Sequence, residues 1–139
     1  AHGAEASADV HVQVSPHLSV SEGHMISQAV EDRLIQGVEA ITDVTVHIDP
    51  EDDEDAPTCR GLPMRGEAVA ALRDAWQGLD APGSDSDIRL HYLSGRIEVE
   101  LILPLSRLTD AEARASLESA LTQAATALPW FGGLRLLYG

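Results

Sequence analysis

The chain has 139 residues, 44% hydrophobic but only 4% aromatic, enough for one domain or two very small ones with a core of Val, Leu, Ile and Ala. Twenty-three acidic against nine basic residues, every one of the nine an arginine, leave a formal net charge of −14; such a surface repels phosphate backbones and anionic membranes and concentrates cations, which argues against nucleic acid as a partner. A single cysteine, Cys59, permits no internal disulfide and fits a reducing compartment, and no apolar run approaches the roughly 18 residues of a membrane span, the longest, Val99 to Leu105, being broken by Glu100 and Pro104.

No signal peptide is legible at the amino end, where Gly3 marks a hairpin turn and His2 is expected to be disordered. Val10, Val12 and Val14 alternate with Asp9, His11 and Gln13, the pattern of a half-buried strand with its valines toward the core. Ser19 followed three residues later by Glu22 reads as a capping box. Behind it Met25, Ile26, Ala29, Val30, Leu34 and Val38 recur at helical spacing. A strand over 43–49 closes a β-α-β unit, which requires parallel strands and a right-handed crossover. That second strand, Val44-Thr45-Val46-His47-Ile48-Asp49, puts an imidazole and a carboxylate on one face and apolar residues on the other.

The run Glu51-Asp52-Asp53-Glu54-Asp55-Ala56-Pro57 is too charged and too interrupted to bury, and residues 51–62 read as an acidic linker. Its five consecutive acids either hold a cation loosely or are simply solvated. Beyond it, Val69, Leu72, Ala75, Trp76 and Leu79 predict a helix over 66–79. Ile88, Leu90 and Tyr92 alternate, Ser94-Gly95 marks a two-residue hairpin, and Ile97, Val99, Leu101 and Leu103 continue the alternation. Thr109 is the expected cap of an alanine-rich helix reaching about Leu128, and Leu134 to Tyr138 form a last strand.

Laid side by side, the two halves form a loose repeat, in which Val10-x-Val-x-Val-x-Pro16 with Leu18-Ser-x-Ser-Glu22 answers Val99-x-Leu-x-Leu-Pro104 with Leu108-Thr-x-x-Glu112. The first copy lacks the leading helix and strand of the second, so the sequence is expected to start inside a domain. The expected class is α+β, ferredoxin-like or metallochaperone-like (α)ββαβ units in two tandem copies with the second degenerate, divided as 1–50, linker 51–62 and 63–139. The second copy has Glu100 or Leu101 in place of His11, Arg114 near His24, and Leu137 and Gly139 near His47 and Asp49. Its strand histidine, His91, takes a structural or exposed role.

Imidazole and carboxylate are ligands for zinc-like cations, and three histidines with one aspartate, His11, His24, His47 and Asp49, meet the tetrahedral count of zinc. His47 and Asp49 project from one face of their strand and His11 from the corresponding face of the parallel strand. His24 lies near a helix start, an end that repels cations, so its nitrogen reaches a metal shared with a second subunit. His17 is a peripheral ligand or an exposed loop residue.

The segment Val10-His11-Val12-Gln13-Val14-Ser15-Pro16-His17-Leu18-Ser19-Val20-Ser21-Glu22-Gly23-His24, with Val44 to Pro50, resembles the cytoplasmic C-terminal domain of cation diffusion facilitator transporters. These are proton-coupled exporters of zinc, iron, manganese, cobalt or cadmium. The resemblance covers residues 3–50 strongly and 65–139 only in outline. It implies a metallochaperone-like domain that forms a homodimer at the cytoplasmic face of the membrane, joined to the transmembrane domain of the same transporter, and it carries the ligand role to His11, His24, His47 and Asp49. Histidine at 17, where members often carry an acid, and the extra copy both depart from the pattern.

The expected function is therefore a metal-sensing, dimerising domain of a divalent cation exporter, Zn2+ first and Cd2+, Mn2+, Fe2+ or Co2+ besides. The alternatives are a metal-independent ferredoxin-like dimerisation or ligand-binding module and a soluble metal carrier. No catalytic motif is present, and four protein ligands would leave zinc no open position for hydrolysis, so no enzymatic activity is expected.

Overall fold

In the computed structural model, which describes residues 5–139, the chain forms two compact units, Ala1–Ala56 and Pro57–Gly139. The expected turn at Gly3 and the disorder at His2 lie outside the described residues. The architecture is α+β, compatible with ferredoxin-like βαβ units.

The first unit is β1 (Ala6–Gln13), α1 (Val20–Gly37) and β2 (Ile41–Asp49). Ser19 caps α1, its Oγ accepting the Glu22 N–H at 3.2 Å, as the capping pattern predicts. β1 and β2 run parallel in register from Ser7 opposite Asp43 to Gln13 opposite Asp49. Alternation sends Val10, Val12, Val44, Val46 and Ile48 to one face, where α1 packs. Gly23 of α1 is buried there, its α-carbon close enough to Ile48 that a β-carbon would stand 3.5 Å from Cγ2. The opposite face carries Asp9, His11, Thr45 and His47 and is open to solvent. A two-stranded sheet with one helix buries little: Val44 is its only buried large apolar residue among those described, and Val20 and Met25 of α1 are 92% and 61% exposed.

The second unit is α2 (Arg65–Ala75), β3 (Ile88–Leu93), β4 (Arg96–Leu103), α3 (Ala111–Ala125) and β5 (Phe131–Tyr138). Its sheet has the order β3-β4-β5, antiparallel at the hairpin and parallel across α3. The hairpin turns on Ser94 and Gly95, both at positive φ, the conformation a two-residue turn needs to match strand twist. Gly95 is further required because a β-carbon would stand 3.1 Å from Pro57 Cβ and 3.3 Å from Thr58 O. Val69 and Leu72 of α2 and Trp76 at its C-terminal end join Ile97, Val99 and Leu101 of β4 and Leu121 and Ala125 of α3 in one core. The Trp76 indole N–H, fully enclosed, donates to Leu121 O at 3.0 Å, which removes the penalty of burying it.

Several boundaries differ from expectation. α2 ends at Ala75, with Trp76 as its C-cap and Gly78 at positive φ, so Leu79 lies past the helix. The cap of α3 is Asp110, whose carboxylate accepts the Ala113 N–H at 2.8 Å, not Thr109, and the helix stops at Ala125, short of Leu128. β5 begins at Phe131, three residues before the expected start, because Gly132 and Gly133 are strand residues: the Glu98 carboxylate rests on them, and a β-carbon on either would stand 2.6 Å from it.

Candidate metal centre

The parallel register sets His11 directly opposite His47 on the open face of the first unit. Neighbouring strands lie roughly 4.8 Å apart, and the two imidazoles stack at that spacing, with centroids 4.3 Å apart and planes 7° from parallel. Each ring leans on a carboxylate offset by one same-face position. His11 Nδ1 donates to Asp49 Oδ2 at 2.9 Å, and His47 Nε2 pairs with Asp9 Oδ1 at 2.7 Å. The result is a ladder of two imidazoles and two carboxylates on adjacent strands. Period-two alternation made three of its members foreseeable, while Asp9 went unrecognised as part of it. Its signal was present all the same, since Asp9 and His11 share a face; what the sequence withheld was the register.

The hydrogen bond to Asp49 raises the pKa of His11 above its ordinary 6.5; partial desolvation opposes the rise, and the negative charges of Asp49, Asp9 and Asp53 add to it. A carboxylate holding one imidazole nitrogen is the usual outer support of a metal-bound histidine, because it fixes the ring and leaves the other nitrogen to bind. The donor chemistry fits a divalent cation. The ligand atoms of Asp9, His11 and His47 lie within 4.8 Å of one another, as do those of His11, Asp49 and Asp53. Asp53 comes from the acidic run, which turns back beside β2: Asp52 O accepts the Ala56 N–H at 2.8 Å, and Asp52 Oδ1 the Glu54 N–H at 3.0 Å.

His24 and His17 are placed differently. His24 sits on α1 and lines a hollow with Val14, Val46 and Ile48 on the helix side of the sheet, whereas His11 and Asp49 line a pocket with Asp53 on the open side. Within one chain the sheet stands between them. His17 lies in the turn ahead of α1, its backbone N–H directed to Ser15 Oγ at 3.3 Å, and belongs to neither group on the open face.

In the second unit the corresponding face is built otherwise. Aligning Val10 with Val99, as the repeat does, sets His11 against Glu100, and the observed pairing of Val99 with Leu134 then sets His47 against Arg135 rather than Leu137. Two stacked imidazoles are thus answered by an acid and a base in register. His91, on the neighbouring strand, is half-buried and hydrogen-bonds Glu100.

The first unit is thus a βαβ unit presenting paired histidines and aspartates on an exposed sheet face. Residues 1–51 match the family model of the cation efflux protein cytoplasmic domain. The match is to a family of transporter domains, and the resemblance read from Val10 to His24 and Val44 to Pro50 is borne out over that segment. No curated protein and no solved structure matches the chain. Among the described residues no helix is long and apolar enough to cross a membrane.

Proposed function

We propose that the first unit is the metal-sensing, dimerising domain of a divalent cation efflux transporter, held at the cytoplasmic face of the membrane by the transporter's transmembrane domain. The observation that carries the reading is the His11–His47 stack with its two carboxylates, inside the segment matched to the cation efflux cytoplasmic domain. His11, His47 and Asp49 of one protomer and His24 of a second make a three-histidine, one-carboxylate set of the kind zinc takes. His24, on the helix side of its own sheet, reaches such a site only in a homodimer. Asp9 stands beside His47, and His17 is a peripheral donor. Zn2+ is the cation the imidazoles favour, with Cd2+, Mn2+, Fe2+ and Co2+ also accommodated. Residues 63–139 are a degenerate second copy that carries Glu100 and Arg135 where the first carries the two strand histidines.

Metal acts here by charge. Thirteen of the 23 acidic residues but one of the nine arginines fall at positions 1–56, so two first units repel each other until a cation is shared between them. Calorimetric titration of the chain with zinc tests the reading. His47→Ala is expected to weaken binding by at least about tenfold, the scale on which metal sites lose affinity when their supporting groups are removed. Zinc heats unchanged by the substitution would refute it.

A further inference from the structure

Residues 51–62 have the composition of a linker, yet the acidic end of the stretch is folded into the first unit and the remainder into the second, which begins at Pro57. On the acidic side Asp52 O accepts the N–H groups of Asp55 at 3.2 Å and Ala56 at 2.8 Å, and Asp52 Oδ1 accepts that of Glu54 at 3.0 Å, which closes a turn. Beyond it Pro57 and Thr58 rest against the Ser94-Gly95 hairpin turn, the contact that leaves no room for a β-carbon on Gly95. Thr58 Oγ1 accepts the Arg60 N–H at 3.1 Å, and Cys59 O accepts the Leu62 N–H at 3.3 Å across Gly61, whose φ of 88° is a left-handed value that favours glycine. Leu62 packs against the core of the second unit, and Pro63 O accepts the Tyr92 hydroxyl of β3 at 2.6 Å. Burial pushes the Tyr92 pKa above its ordinary 10.0, so the phenol stays protonated and donates at neutral pH. Met64 follows at once as the N-cap of α2.

We infer that residues 57–63 are a strap of the second unit and not a spacer, latched by the Tyr92 hydroxyl on Pro63 O and by Leu62 in the core, so that the two units are joined without free chain at the Ala56–Pro57 peptide. Proline holds the residue before it to extended backbone, which stiffens the joint itself. Opening of the latch turns the strap into flexible chain and lengthens the tether of the unit that carries His11 and His47. The latch therefore sets how far that unit can reach. The inference concerns the connection alone and stands whether or not the open face binds metal.

Limited digestion of the full chain with trypsin tests this, because the chain has no lysine and the strap holds one arginine, Arg60, exposed and followed by Gly61. Cleavage there needs the strap to lift, so its rate follows the population of the open form. The Arg60–Gly61 bond is expected to be cut about tenfold or more slowly in the native chain than in a synthetic peptide spanning residues 55–66. Tyr92→Phe is expected to speed that cut by about fivefold, the scale of one net hydrogen bond, and to leave the cut after Arg114 in α3 unchanged. Cleavage after Arg60 as fast in the native chain as in the peptide makes the segment a spacer and overturns the inference. So does a Tyr92→Phe chain cut after Arg60 at the unsubstituted rate, or one cut equally faster after Arg114, since the hydroxyl would then support the whole unit and not the strap.

Discussion

His11 is the residue on which the chemistry of the open face turns, because Asp49 holds its Nδ1 while Asp9 and Asp53 add negative charge around it. Its raised pKa means that the Asp49 contact favours the protonated ring, and the stability this lends the metal-free unit is full below pH 6.5 and fades as pH rises through the raised value. Metal binding has the opposite sign, since the cation must displace that proton. Zinc affinity is therefore expected to fall on acidification from a higher pH than an ordinary histidine would impose. Asp49→Asn is expected to return the His11 titration toward 6.5, read from its ring proton shifts by NMR. A His11 midpoint unchanged in Asp49→Asn would remove the carboxylate as the cause. His47 and Asp49 were legible as a pair because a strand shows its faces at period two. Asp9 and Asp53 were not, since one depends on the register between strands and the other on where an acidic loop turns, and neither is encoded in local periodicity.

At the scale of elements, the alternation of Val10, Val12 and Val14, the Ser94-Gly95 turn and the helical spacing behind Ser19 were all readable, because each is a short-range consequence of where side chains point. The ends were harder. Thr109 and Asp110 are both good N-caps, and only the geometry at Ala113 shows that Asp110 does the capping. Asp110→Ala is expected to lower the unfolding free energy of the second unit by about 1 kcal/mol and Thr109→Ala by much less, as measured by denaturant titration; equal effects would return the cap to Thr109. The last strand was expected from Leu134, whereas Gly132 and Gly133 belong to it and leave the space that lets the Glu98 carboxylate lie against β5. A glycine says that a side chain would not fit, and only the folded chain says what is there instead.

Across the whole molecule, charge and core are distributed in opposite ways. The second unit holds nearly all of the buried apolar residues, and it answers the histidine pair with Glu100 and Arg135. The first holds most of the net charge, a thin core and an open face of stacked imidazoles and their carboxylates. A domain so arranged is expected to gain stability from a bound cation or a second protomer. That division was visible in the sequence, where five of the six histidines and 13 of the 23 acidic residues precede Pro57. The measurement that bears most directly on it is an anomalous difference map at the zinc edge from crystals of the full chain grown with zinc. The account predicts a peak at about 2.0 to 2.2 Å from a nitrogen of His11 and of His47, with His24 of a second protomer turned toward it. Zinc found only elsewhere on the surface, with the His11–His47 face empty at saturating metal, would contradict it.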